Sequence, residues 1–274
     1  MKIGDIVARK SYNCDIWFKI SDILEDTIIL TGVYYRLIAD ANLNDIVSVS
    51  TRSDDDEDRD SNKTSSNLFQ KWYKNQYSFE SNLNDNSSQI YKRVGKVMHI
   101  DGDKSYLKEC LAKYEKLGVP VIGINIEESL QPQKILELLK LYRPNILVIT
   151  GHDSLVKDNL NSTNIQDYKN SKYYEECIKI AREYNSNYDD LVIFAGGCKS
   201  NYEALMKAGA NFASSPNRIL IHVTDPVIVA CKVATTSIRE ILDIDSIVKN
   251  TFAGLNGIGG IETRGQCREG KPSF

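Results

Sequence analysis

The spacing of apolar positions along the chain changes twice, and the three stretches it separates predict three kinds of structure. Up to about residue 50, β-branched and aromatic residues gather in short runs: Ile3 to Arg9, Ile16 to Leu24, Thr27 to Val33 and Tyr34 to Ala39. Turn-forming residues bound each run, which predicts short strands closing on one another. From Thr51 to Asp60 the chain reads TRSDDDEDRD, and Ser, Asn and Asp dominate to about Ser88. Self-repulsion and sparse apolar content make that stretch a linker. From about Arg93, short apolar runs alternate with helical patterning. Val94 to Ile100, Val119 to Ile126, Ile146 to Ile149, Leu191 to Phe194 and Ile219 to Val223 read as strands. Tyr106, Leu107, Cys110, Leu111 and Tyr114 recur at helical spacing; Ser129 to Tyr142 has Pro132 in its first turn and Pro144 past its end. Tyr174, Cys177, Ile178 and Ala181 mark a third helix, and Asn201 to Lys207 a short fourth.

The expected organisation is therefore a small β-barrel of the SH3 or Tudor kind at 1–50, an acidic Ser/Asn-rich linker at 51–92, and an α/β domain at 93–274. Strands alternating with helices imply a parallel sheet covered on both faces, an αβα sandwich. Right-handed crossovers put the C-terminal strand ends at one edge, where open α/β sheets bind their ligands.

Two of those strand ends carry matched chemistry. Asn145 to Asp153 reads NILVITGHD and Leu191 to Ser200 reads LVIFAGGCKS. Each apolar run breaks at glycine and then presents one reactive side chain, His152 or Cys198. A base and a thiol at one edge are the minimum for a cysteine nucleophile. Cys198 precedes a short helix, and an imidazolium beside it would favour the thiolate. The backbone N–H groups of Cys198 and Asp153 are the natural donors to an oxyanion. His152 lies 46 residues before Cys198 with one helix between, which resembles the caspase–clostripain–gingipain type of cysteine peptidase, where the histidine lies about 50 residues upstream. This chain differs in placing Asp153 where glycine is usual and Lys199-Ser200 after the cysteine.

Composition narrows the classes. Hydrophobic residues make up 42% of the 274 and the net charge is −3, with Lys and Arg dispersed, so no nucleic-acid-binding face is expected. No apolar stretch is long enough for a membrane helix, and the N-terminus lacks a signal-peptide apolar region, which points to folding in the cytoplasm. The six cysteines are expected as thiols. None forms a CxxC pair, and neither a metal nor a cofactor is expected. Cys110, Cys177 and Cys231 sit among apolar residues and read as packing.

Beyond these motifs, Met1 to Arg9 (MKIGDIVAR), Ile100 to Asp103 (IDGD), Gly209 to Pro216 (GANFASSP) and Gly259 to Gly265 (GGIETRG) join the His152 and Cys198 segments. Together they resemble the YabG family of sporulation-specific proteases of spore-forming Firmicutes, over nearly the whole chain except the acidic linker. The resemblance implies an endopeptidase that trims spore coat and cortex-lytic proteins, prefers arginine, and uses His152 and Cys198 through a thioester acyl-enzyme. It also implies a place in the cytoplasm of the sporulating cell, associated with the spore coat. A preference for arginine calls for a carboxylate in the primary pocket. Asp225 is the first candidate, with Asp101 and Asp103 as alternatives. Arg52 and Arg59 in the linker are candidate self-cleavage sites. Two rival readings stand beside this one: an amidotransferase-like hydrolase pairing Cys198 with His222, and a non-catalytic scaffold whose barrel recruits coat proteins.

Overall fold

In the N-terminal region, alternating burial along the strands builds one antiparallel sheet. The computed structural model describes residues 1–24, 27–49, 91–155 and 162–270. Ile6–Arg9 (β1), Trp17–Leu24 (β2), Thr27–Gly32 (β3), Ile38–Asn42 (β4) and Ile46–Ser48 (β5) pair in the order β4-β3-β2-β1-β5. Val7, Phe18, Ile20, Ile28, Leu30, Leu37, Ala41 and Ile46 turn inward as its core. The expected strand Tyr34 to Ala39 is displaced. The fourth strand begins only at Ile38, and Val33 to Leu37 leave the sheet. Those residues bend, with Leu37 N–H returning to Tyr35 O at 2.7 Å, and make only isolated bridges, Tyr35 to His222 and Leu37 to Asp153. Arg52 and Arg59, with the rest of the acidic tract, lie outside the described residues.

Tyr91–Arg93 (β6) opens the second described region, followed by Val97–Asp101 (β7). Lys104–Lys116 (α1), Val121–Asn125 (β8), Gln131–Tyr142 (α2), Ile146–Thr150 (β9), Ser171–Tyr184 (α3), Val192–Ala195 (β10) and Tyr202–Ala208 (α4) then alternate as the sequence predicts. Phe212–Ser214 (β11), Asp225–Thr235 (α5), Ile241–Leu242 (β12), Ile244–Val248 (α6), Gly254–Gly257 (α7), Ile258–Gly260 (β13), Thr263–Arg264 (β14) and Arg268–Gly270 (β15) complete the chain.

The main sheet runs β13-β11-β10-β9-β7-β8, parallel throughout except for β13. Alternation along β9 shows why it is apolar at every position. Ile146 and Val148 face a core shared with α1 and α5, while Leu147 and Ile149 face one shared with α2, α3 and α4. The fifth parallel strand is Phe212–Ser214, not Ile219 to Val223. A three-residue run gives too little periodicity to stand out in sequence. Ile219 to Val223 instead pass over the strand ends, and His222 bridges antiparallel to Tyr35. Cys198 and Ile221 belong to the same apolar cluster as the N-terminal sheet, so the two regions meet at the edge where the candidate site lies.

Candidate active site

Three adjacent strands deliver the site. In the sheet β9 lies between β7 and β10, with Asp101 paired to Thr150 and Ala195 to Ile149. The loops leaving those strands carry Asp103, His152 and Cys198. His152 is 6% exposed, and its Nε2 lies 2.9 Å from Asp103 Oδ2. Asp103 also caps α1, accepting from the backbone N–H groups of Ser105 and Tyr106. Burial works against its charge, but hydrogen bonds from His152 and Ser105 hold its carboxyl well below the usual carboxylate range. An ionised Asp103 can only accept, so Nε2 carries the proton and Nδ1 of the neutral ring carries the lone pair. That Nδ1 is buried without a hydrogen-bond partner. The ring packs on Tyr106, with centroids 4.8 Å apart.

Cys198 is fully buried. Its Sγ accepts from the Ile221 N–H at 3.1 Å. Burial pushes the thiol up to about 12, opposed by the Ile221 hydrogen bond and the charge of Arg36. With Nε2 held by Asp103 and Nδ1 unpartnered, His152 and Cys198 share the edge but are not hydrogen-bonded to each other. Gly197 has to be glycine: a Cβ there would meet Gly151 O at 2.6 Å and the Asp153 nitrogen at 3.2 Å.

The N–H groups of Cys198 and Asp153 converge on one oxygen. Both donate to the backbone carbonyl of Arg36, at 3.1 and 3.3 Å. Arg36 is fully buried, and its Nη1 meets Asp101 Oδ2 at 2.6 Å. Its Nη2 donates to Val223 O at 3.1 Å and approaches Cys110 Sγ at 3.4 Å. Burial opposes both charges of this pair; the attraction between them outweighs it, raising Arg36 further and holding Asp101 well below its ordinary value. His99, Asp101 and Cys110 offer donor atoms within 4.8 Å of one another, a spacing that could hold a metal ion. Here Asp101 and Cys110 already face the guanidinium, so the cluster acts as a cation pocket for arginine.

The remaining candidates are engaged otherwise. The Asp153 carboxylate is buried and accepts from Ser171 Oγ, Ser200 Oγ and the Asn170 and Ser154 N–H groups. It ties the His152 loop to α3 and leaves only its N–H for the carbonyl. Asp225, fully buried at the start of α5, accepts from the backbone N–H groups of Phe252, Ala253 and His222. Burial raises it to about 7, and it is not among the residues that line the groove beside His152.

His222 Nδ1 pairs with Thr224 Oγ1 at 3.0 Å, and its ring stacks on Phe252. Burial pushes His222 down from 6.5 to about 4. A depressed folded-state value means the unfolded chain binds the proton first as pH falls. The stability tied to neutral His222 is complete above about 6.5 and is lost towards about 4. We expect His222→Gln to flatten this acid limb by up to about 3 kcal/mol, read from urea unfolding at pH 7 and pH 4.5.

Sequence reasoning missed Arg36 and Glu128. Arg36 is a lone cation in an otherwise apolar run, which is a signal in hindsight. Glu128 Oε1 accepts the His152 backbone N–H at 2.7 Å, and its carboxyl presses on Gly102 and Gly151, where a Cβ would leave 2.3 and 2.1 Å. The glycines at both strand ends are thus the trace of that carboxylate. A groove of about 470 Å³ opens beside His152, lined in part by Ile38, Asp103, Glu127 and Glu128.

The family described as YabG peptidase U57 matches residues 2–272. The sporulation-specific protease YabG of Bacillus subtilis (strain 168) is 41% identical over 285 residues, covering 99% of this chain and 98% of that protein. No solved structure matches.

Proposed function

Because the chain belongs to the YabG family of peptidases, we propose that it is a cysteine endopeptidase of sporulating cells that cleaves after arginine. In this reading Cys198 is the nucleophile and His152 the general base. Asp103 positions the ring, and the N–H groups of Cys198 and Asp153 hold the oxyanion. The observation that carries it is the convergence of those two N–H groups on one carbonyl oxygen, next to a thiol and a histidine whose Nδ1 is free.

Attack by Sγ on a peptide carbonyl passes the thiol proton to His152 Nδ1. The tetrahedral oxygen then rests on the two N–H groups. Collapse breaks the C–N bond as His152 returns the proton to the leaving amine, and water hydrolyses the thioester. Asp101 at the floor of a closed pocket suits a guanidinium and supports the preference for arginine. Spore coat and cortex-lytic proteins are the proposed substrates, which places the enzyme with the coat. The caspase-like order of histidine and cysteine strands fits the same scheme. His222 suits the dyad less well, because its Nδ1 and ring face are already engaged.

Purified protein should cleave a peptide carrying arginine at the scissile position and lose that activity to iodoacetamide in step with alkylation of Cys198. Equal cleavage after arginine, glutamate and alanine, or alkylation without loss, would refute this reading.

Asp103→Asn tests the positioning role. Asn keeps an oxygen to cap α1 but no longer offers two accepting oxygens, so it cannot serve helix and ring alike. We expect kcat to fall about 10²-fold or more with KM little changed, and Asp103→Glu to recover part of it. A change confined to KM would assign Asp103 to substrate binding instead.

A further inference from the structure

We propose that the Arg36–Leu37 peptide bond is the enzyme's own first substrate, presented to Cys198 within the same chain. The proposal rests on the peptidase reading above and goes beyond it by naming the bond that fills the site.

Residues 34–37 are seated as a peptide substrate would be. The Arg36 carbonyl oxygen lies in the two-donor site, 3.1 Å from the Cys198 nitrogen and 3.3 Å from the Asp153 nitrogen. Upstream, the backbone pairs with the strand-like passage over the site. Arg36 N–H donates to Ile221 O at 3.1 Å, Val223 N–H donates to Tyr34 O at 3.2 Å, and Tyr35 bridges antiparallel to His222. This resembles strand addition, in which main-chain hydrogen bonds hold a peptide regardless of its sequence. Sequence enters through the side chain, and the Arg36 guanidinium fills the closed pocket ended by Asp101. Downstream, Leu37 bridges to Asp153, and Ile38 lines the open groove beside His152. One residue therefore supplies a carbonyl to the oxyanion donors, a side chain to the specificity pocket and an N–H to the flanking backbone.

A purely structural arginine would need only its buried partner. It would not need its carbonyl aimed at the N–H of the candidate nucleophile. The chain also turns tightly at this point. Leu37 N–H returns to Tyr35 O at 2.7 Å, Tyr106 OH donates to Tyr35 O at 2.7 Å, and Gly32 is required because a Cβ would meet Tyr35 O at 2.4 Å. The bond is thus presented on a braced loop with β3 on one side and β4 on the other.

The reaction balances without any co-reactant but water. Cys198 Sγ bonds to the Arg36 carbonyl carbon and its proton passes to His152 Nδ1. The Arg36–Leu37 C–N bond breaks, and Leu37 takes that proton as a new amino terminus. Water then releases Arg36 as a carboxylate and restores the thiol. The products are residues 1–36 and the chain from Leu37 onward. Thr27 to Thr31 pair with Ile38 to Asn42 across the cut, so the pieces stay associated through the sheet. Until the bond is cut, a foreign peptide and Arg36 compete for the same donors and pocket. Cutting removes the tether on one side and lowers the effective concentration of Arg36 there.

The test is intact mass and N-terminal sequencing under denaturing conditions, on wild-type protein and on Cys198→Ala, after incubation across a 100-fold dilution range. A parallel assay follows cleavage of an arginine reporter peptide. We expect a new N-terminus at Leu37 in the wild type, formed at a rate independent of dilution, and an uncut Cys198→Ala chain. Reporter cleavage should show a lag that matches the cut. Wild-type protein that cleaves the reporter while Arg36–Leu37 stays whole would overturn this proposal and leave the peptidase reading intact. Cutting at Leu37 in Cys198→Ala would overturn the assignment of the nucleophile and the proposal with it. Absence of both cleavages would overturn both.

Discussion

His152→Ala and Cys198→Ala are each expected to lower kcat/KM on an arginine reporter by at least about 10³-fold, and the double variant to be no worse than either. The size follows from the burial of the thiol. Burial pushes the Cys198 thiol well above its ordinary value, so at neutral pH little thiolate forms without help. Attack then depends on a base that takes the proton as the S–C bond forms. His152 Nδ1, buried and unpartnered, is the group available for it. The two side chains act as a unit, so removing the second after the first changes little. Both variants also keep the Arg36–Leu37 bond whole, so Arg36 stays on the Cys198 and Asp153 N–H pair and little residual turnover is expected. His222→Ala should stay within a few-fold of wild type. Fold is not at stake: His152→Ala leaves Asp103 capping α1, and Cys198→Ala removes one sulfur from an apolar cluster. Steady-state kinetics with circular dichroism as the folding control would decide it. A His222 variant as inactive as Cys198→Ala would favour the amidotransferase-like rival.

Asp101→Asn is expected to be the most destabilising isosteric change in the site. Asp101 and Arg36 are both fully buried, 2.6 Å apart. Asp101 also accepts from Thr150 Oγ1 at 2.9 Å and from the Asp103 N–H at 2.9 Å. Asn matches the shape but leaves a guanidinium in a closed pocket without a counter-charge, a loss of about 3–5 kcal/mol. Measured in the Cys198→Ala background, where the chain stays whole, urea unfolding should show that loss. Arg36→Met should recover much of it in the double variant, because removing both charges removes the mismatch. The sign of the pH dependence follows from the depressed Asp101 value: the pair's stabilisation is complete above the ordinary carboxylate value of 3.8 and is lost as pH falls below it. On the catalytic side, kcat/KM for arginine peptides should fall about 10²-fold or more, with little change for peptides that lack the charge. An Asp101→Asn chain of unchanged stability and selectivity would remove Asp101 from the specificity pocket.

The alternation of strands with helices, and the position of His152 and Cys198 just past two strand ends, could be read from sequence because each rests on a strong local signal. Five-residue apolar runs ending at glycine, separated by helices, leave little freedom in where their tips fall. What the sequence concealed follows from limits of the same signals. Tyr34 to Leu37 have the composition of a strand, and a bent segment held by isolated bridges uses the same residues. Only its partners tell them apart, and those lie at Cys198 and at 221–223. Likewise the short Phe212–Ser214 run lost out to the longer Ile219 to Val223 run as fifth parallel strand. Of three acidic candidates for the arginine pocket, the first-ranked Asp225 serves as a backbone anchor at a helix start, Asp101 meets a guanidinium, and Asp103 turns to His152. Sequence places all three near the sheet edge but does not fix which way each carboxylate points. Glu128 opens a 3-10 turn just before α2 and belongs to no motif, visible only through Gly102 and Gly151.

The most direct test of a peptidase site at Cys198 is covalent capture by a short peptide that ends in arginine chloromethyl ketone. The protein is treated until reporter cleavage stops, digested, and the adduct located by mass spectrometry. The account predicts a single thioether, on Cys198, formed in proportion to activity lost and absent in Cys198→Ala. Adducts confined to the exposed Cys14, or full activity with Cys198 modified, would contradict it.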